Sequence, residues 1–254
     1  INTAQFVINQ NMIRHLLINC WFILSNTLLI GQTRDLVLLS NGIQGQHFSW
    51  LIDNSFNIIH EWTHPAAVHS IVYLQNDSTL IVPLRIFDPY IEYSNPIGGH
   101  FQKVGWNGDL IWDFTYYGPT YNPHHDIEPL PNGNILVICW EVKTLEEAVA
   151  VGRQNINGEI WPLKIVELEP PDGTVVWEWH LWDHLIQDVN PALDNFGDIS
   201  QHPGRMDINC GGPVNSNNGD WIHTNAIDYR EDLDQIIFSS RHMNEIYIID
   251  HSTT

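Results

Sequence analysis

The sequence predicts an all-β protein made of repeated sheets, and a β-propeller is the architecture that such repeats build. Three observations lead there. The segments "FNIIHEW" (56–62), "GDLIWDF" (108–114) and "GTVVWEW" (173–179) each join a turn residue, two or three apolar residues, an aromatic or histidine, an acid and an aromatic. Each is followed, after a gap, by a histidine that opens another strand: "HSIVYLQNDSTLIV" from His69, "HDIEPLPNGNILVI" from His125 and "HTNAIDYREDLDQIIF" from His223. Tight-turn signals separate the strands; Asn132-Gly133, before the apolar run Ile135-Leu136-Val137-Ile138, is the plainest. Self-similarity at a period of roughly fifty residues marks propeller blades, because one four-stranded blade cannot bury both its faces alone. About four such units fit the chain, so the expectation is a partial, open propeller with Trp112, Trp177 and Trp179 buried between blades.

The elements follow in order from the N-terminus. Met12, Arg14 and the apolar stretch from Leu16 to Ile30 read as a secretory signal peptide over 12–32, with the mature chain beginning close after Gly31. The run is short and broken by Asn19, Ser25 and Asn26, which disfavours a membrane span. Cys20 comes too soon after Met12 to be a lipidation site. Residues 1–11 then read as upstream sequence, 33–254 as the propeller domain, and the last strand, "EIYIID", as the edge of a fragment. The expected location is the periplasm or the exterior of a bacterial cell. Two insertions interrupt the repeat: 142–154, with the apolar spacing of a short helix, and Gln187–Asn218, rich in Asn, Asp, Gly and Pro. Cys139 and Cys210 leave a disulfide open as a question of compartment.

Charge narrows the partners. Thirty acidic against ten basic residues give a net charge of −20, which argues against nucleic acid, since phosphate binding needs basic patches. The chemistry-bearing residues stand at the starts of the repeated strands. In a propeller the innermost strand of each blade delivers its leading residues to one rim of the central channel, so His125 and His223 are expected to converge. His124, His125 and Asp126 are metal-ligand types, yet neighbours on an extended chain point in alternate directions and no HxH or HExxH spacing is present, so no metal or other cofactor is expected. Asp126 and Asp220 read as residues that orient neighbours or bond turn amides.

Four stretches, "HHDIEPLPNGNILVI", "DGTVVWEWHLWDH", "DWIHTNAIDY" and "SSRHMNEIYIIDHSTT", together resemble the bacterial arylsulfate sulfotransferase family over roughly residues 36–254. The resemblance implies a six-bladed propeller in the complete family. It also implies transfer of a sulfuryl group from an aryl sulfate to a phenol through a sulfated histidine. The positions matching the family's motifs are His125, His223 and Arg241, as catalytic residues, with His124, His69 and Asn225 as substrate-binding neighbours. The chemistry is coherent: fixed donors aimed at sulfuryl oxygens assist transfer, Arg offers a permanent fork of donors, and His can exchange a proton with the leaving phenol. The family's nucleophilic histidine comes from a later blade and is expected to be missing here; His251, outside the matching motif, does not take its place. Two other readings compete: a non-catalytic propeller binding a glycan or protein on the same rim, and a quinone-dependent dehydrogenase suggested by the recurring G-x-x-x-W segments.

Overall fold

A computed structural model describes residues 36–40, 47–91, 97–211 and 219–252; the signal peptide and the upstream segment expected before residue 33 lie outside the described residues. The chain is all-β, built from antiparallel sheets that follow one another in sequence. The first holds β1 (Leu36–Ser40), β2 (Phe48–Asp53) and β3 (Ile58–Thr63). The second holds β4 (Tyr73–Leu74), β5 (Leu80–Leu84), β6 (His100–Val104) and β7 (Leu110–Thr115). The third holds β8 (Tyr121–Pro129), β9 (Ile135–Glu141), β10 (Leu163–Glu169) and β11 (Thr174–His180). After a two-residue parallel pair, β12 (Leu185–Ile186) with β13 (Met206–Asp207), comes the last sheet: β14 (Thr224–Arg230), β15 (Gln235–Ser240) and β16 (Glu245–Asp250). Within each of these four sheets the spatial order is the sequence order, so every connection is a hairpin.

The repeated motif falls on the closing strand of the first three sheets: β3, β7 and β11. β3 and β7 share one burial pattern, and in all three strands a single aromatic near the end enters the core: Trp62, Phe114 and Trp179, 2%, 7% and 5% exposed. The aliphatic pair that opens each motif stays in solvent, as Ile58 and Ile59, Leu110 and Ile111, Val175 and Val176. Of the three tryptophans expected between sheets, Trp179 is buried, whereas Trp112 and Trp177 are half-buried against the adjoining cores. They lie two residues nearer the opening turn.

Successive sheets share apolar layers. Leu51 and Trp62 pack on Val68, Leu80 and Val82 of the next unit. Phe101 and Phe114 meet Ile127, Ile135 and Val137. Leu136, Ile138, Ile165 and Trp179 meet Ile227, Ile236 and Phe238. The motif aromatics are thus the adhesive between units, and full burial of each such side chain contributes roughly 1.5–3 kcal/mol before entropy is counted.

The opening strands of the last three sheets are stitched by one carboxylate. Asp126 accepts from Tyr73 Oη at 3.0 Å, from the Ile127 amide at 3.0 Å and from the Ile227 amide at 3.2 Å. Burial raises its pKa against these hydrogen bonds. Its neighbour Glu128 is half-buried; burial first, then repulsion by Asp228 and Asp126, push its carboxyl up to about 8 from an ordinary 4.5. A carboxyl with a raised native pKa holds its proton more tightly when folded, so stability is present below pH 4.5 and is lost as pH rises towards 8. Glu128→Gln is therefore expected to raise the unfolding temperature at pH 8.5 by a few degrees, about 1–2 kcal/mol after discounting for solvent screening, and to leave it unchanged at pH 4.5. A variant-minus-wild-type difference that does not change with pH would contradict this.

The insertion at 142–154 contains the expected helix, α1 (Leu145–Ala150), with a capping box in which Thr144 and Glu147 satisfy each other's amides. Arg153, just beyond it, anchors the second insertion by donating to the carbonyls of Ile208 and Cys210. Cys139 and Cys210 are both free thiols, the first buried in β9, the second half-buried in the insertion.

Candidate active site

The "HHD" triplet stands outside the strand ladder. β8 pairs with β9 at Pro123↔Cys139 and resumes at Ile127↔Val137, so His124, His125 and Asp126 together oppose Ile138 alone. This is a bulge, and it turns three side chains away from the positions a regular pleat would give them. His125 occupies the left-handed region at φ 53°. His223, which immediately precedes β14, does the same at φ 49°, and β14 has its own register shift between Thr224 and Ala226. Such a conformation costs a non-glycine residue on the order of 1–3 kcal/mol, and the chain adopts it at both histidines.

The two bulged strands bring the rings together. His125 and His223 have ring centroids 4.6 Å apart, and His223 lies 5.0 Å from His242. His124 is 1% exposed and stacks on Trp140 at 4.1 Å with an interplanar angle of 15°. Its Nδ1 is 2.9 Å from His125 Nδ1. Burial holds the His124 pKa well below 6.5, with the other histidines adding to the effect, and burial followed by His223 takes His125 down to about 4. Both rings are therefore neutral near pH 7, and one donates to the other. His124 Nε2 is buried without a partner among the described residues. A bare acceptor there costs less than an orphaned N–H, so His124 carries its proton on Nδ1 and donates it to His125. His125 is left protonated on Nε2, a neutral donor at the free end of its ring.

His223 is oriented differently. Its Nδ1 hydrogen bonds to Asp220 Oδ2, and Trp140 Nε1 donates to Asp220 Oδ1 at 3.0 Å. Burial opposes ionisation of Asp220, but the hydrogen bonds from His223 and Trp140 outweigh it and hold the carboxyl below its usual range. The carboxylate thus fixes the Nδ1–H tautomer of His223 and the orientation of its ring. Arg241 is tied to the same residue: its backbone amide donates to His223 O at 3.0 Å. The guanidinium is exposed and makes no ion pair among the described residues, and its charge acts on His125.

The remaining expected residues divide. His69 is buried at 4% and acts electrostatically on His124; its ring presses on Gly98, where a Cβ would come within 2.5 Å of His69 Nδ1. Asn225 is exposed and its Oδ1 accepts from Ser239 Oγ at 2.8 Å, so it engages the neighbouring strand instead of the imidazoles. His251 sits apart, with Nδ1 2.9 Å from Asp234 Oδ1 and Nε2 3.1 Å from Glu167 Oε2, against Trp177. Trp140 was not legible as a site residue: at the end of "ILVICW" it reads as core, and only the fold sets it between His124 and Asp220. His242 was likewise missed. Asp220, His223 and His242 place ligand-type atoms within 4.8 Å of one another. Asp220 is already engaged by Trp140 and His223, and His242 Nδ1 lies 3.0 Å from Trp221 O, so the arrangement is that of hydrogen-bonded histidines. A cavity of about 420 Å³ beside α1, lined by Val151, Trp182, Leu185 and Arg205, shares no residue with this cluster.

The family model for arylsulfotransferase (ASST) matches residues 100–254, more than half of the chain. The chain belongs to the arylsulfotransferase family. The matched span of this arylsulfotransferase contains His124, His125, Asp220, His223 and Arg241, and His69 precedes it. None of the curated proteins matches the chain. Among solved structures, hydrazine synthase of Kuenenia stuttgartiensis is similar at 11% identity and TM-score 0.47, over 85% of this chain and 49% of that one, so the chain spans about half its length. A protein of unknown function from Bacteroides caccae gives 11% identity and TM-score 0.37 over 85% and 73%. Quinohemoprotein alcohol dehydrogenase from Comamonas testosteroni gives 12% identity and TM-score 0.37 over 85% and 32%.

Proposed function

We propose that the chain is the donor-binding part of an enzyme that moves a sulfuryl group from an aryl sulfate to a phenolic acceptor through a sulfated histidine, in the periplasm or outside the cell. Its sheets are successive blades of a β-propeller. Support for the propeller comes from hairpin sheets in chain order, shared apolar layers between neighbours, and opening strands joined at Asp126.

One observation carries the chemical reading: a neutral donor histidine and a carboxylate-backed histidine meet, and the charge of an arginine without an ion-pair partner among the described residues acts on the first, on a chain of net charge −20. An anionic sulfate ester needs such a local positive site. In this reading His125 Nε2–H and Arg241 hold the sulfuryl oxygens, and the His223 imidazolium gives its proton to the bridging oxygen as the phenolate leaves. Asp220 accepts from His223 Nδ1 and sets the orientation of that ring. The sulfate-accepting nucleophile is a histidine outside this set; His251, clasped by Asp234 and Glu167, is not assigned that role.

The test is phenol-dependent release of 4-nitrophenolate from 4-nitrophenyl sulfate by the full-length protein, together with calorimetric binding of that ester by this chain. Binding that weakens with His125→Gln and with Arg241→Ala is expected. Absence of ester binding by the chain, or release that ignores the phenol acceptor, would contradict the assignment.

A further inference from the structure

Two of the chain's three methionines and one of its three cysteines meet at a point that sulfuryl transfer does not use. Cys210 Sγ lies 3.5 Å from Met206 Sδ and 3.7 Å from Met243 Sδ. The three residues come from two separate regions: Met206 opens β13 and Cys210 follows it in the second insertion, whereas Met243 sits in the turn between β15 and β16. A thiol has one proton and a thioether is a weak acceptor, so S–H hydrogen bonding can serve only one of these two contacts. A thiol flanked by two thioether sulfurs at 3.5 and 3.7 Å is a set of soft donors of the kind that suits a soft cation.

We propose that Met206, Cys210 and Met243 form a three-sulfur site for monovalent copper. Thiolate and thioether donors select Cu⁺, while Mg²⁺ and Ca²⁺ need oxygen ligands. With a metal–sulfur bond of about 2.3 Å, a trigonal plane separates the sulfurs by about 4 Å, so the two contacts made by Cys210 need only open by a few tenths of an ångström. The surroundings already hold the ligands. Arg153 Nη1 and Trp221 Nε1 donate to Cys210 O at 3.1 and 3.0 Å, and Asp207 Oδ1 accepts from the Asn209 amide at 2.8 Å. These contacts fix the Cys210 backbone, as outer-shell partners do at metal sites. Met206 is 8% exposed, but Cys210 and Met243 are half-buried and give the ion a way in. On binding, Cu⁺ replaces the thiol proton, which passes to the buffer; neither copper nor sulfur changes oxidation state. The ion joins the insertion to the turn that carries Arg241, two residues before Met243.

The experiment is anaerobic competition for Cu⁺ against bicinchoninate, using this chain and its Cys210→Ser, Met206→Leu, Met243→Leu and His223→Gln variants. Uptake of one Cu⁺ per chain is expected. Because loss of outer-shell partners alone costs 10–100-fold in metal affinity, Cys210→Ser is expected to weaken binding by more than about 100-fold, and each leucine variant by about 10-fold or more. His223→Gln is expected to leave it unchanged. Leucine keeps the volume and apolar character of methionine, so those variants separate ligand loss from misfolding. X-ray absorption is expected to show sulfur scatterers alone. No Cu⁺ uptake, uptake unaffected by Cys210→Ser, or uptake abolished by His223→Gln would overturn the proposal. The result is independent of sulfuryl transfer, so the two assignments stand or fall separately.

Discussion

Asp220→Asn is expected to reduce sulfuryl transfer by the full-length protein by up to about 10⁴, the loss seen when a carboxylate behind a catalytic histidine becomes an amide. The substitution keeps the shape and an oxygen for Trp140 Nε1, which now donates to Oδ1. The group facing His223 Nδ1 would then be an N–H donor, so His223 must accept on Nδ1 and carry its only proton on Nε2. The readout that separates this role from a merely structural one is leaving-group dependence. If His223 gives a proton to the departing oxygen, the loss should be greatest for esters of weakly acidic phenols and smallest for 4-nitrophenyl sulfate, whose phenolate leaves unaided. An equal loss for every ester, on a protein with unchanged unfolding temperature, would show that Asp220 does not act through proton transfer.

Arg241→Lys is expected to lower turnover by about 10²–10³, the effect of losing one oriented donor to developing charge. Lysine preserves the charge but replaces a planar fork by a single movable ammonium. The backbone amide of residue 241 still donates to His223 O, so the local fold is retained. The exposed guanidinium makes no ion pair among the described residues that the change could break. Stability should therefore be unaffected, and transfer rates within threefold of wild type would remove the main support for the anion site. The change should also alter the electrostatics of His125, on which Arg241 acts.

Much of the architecture was legible before any coordinates. Turn signals, the repeated strands that pair an acid with a closing aromatic, and their spacing were enough for an all-β chain of hairpin sheets, because a strand's pattern of apolar and aromatic residues is local and periodic. The short helix after Thr144 was legible for the same reason. Trp112, Trp177 and Trp179 were expected between sheets, and of these Trp179 is buried, while Trp62 and Phe114 fill the equivalent core positions of the first two sheets. Trp112 and Trp177 are only half-buried, since burial along a closing strand depends on how closely the next sheet approaches at that height.

The site was legible only in part. His125 and His223 could be named because they recur ahead of repeated strands and match a family's motifs; Arg241 could be named from the motif alone, and it lies in the turn after β15. Their meeting, at 4.6 Å between the two rings, depends on two bulges and two left-handed backbone conformations that no sequence period encodes. Trp140 and His242 carried no signal at all, since a tryptophan closing an apolar strand is ordinary core until a fold sets Asp220 against its N–H. Pattern and propensity, which act between near neighbours, determined the sheets. Tautomer, charge state and the meeting of Cys210 with Met206 and Met243 depend on side chains brought together from distant stretches, and those only the tertiary structure decided.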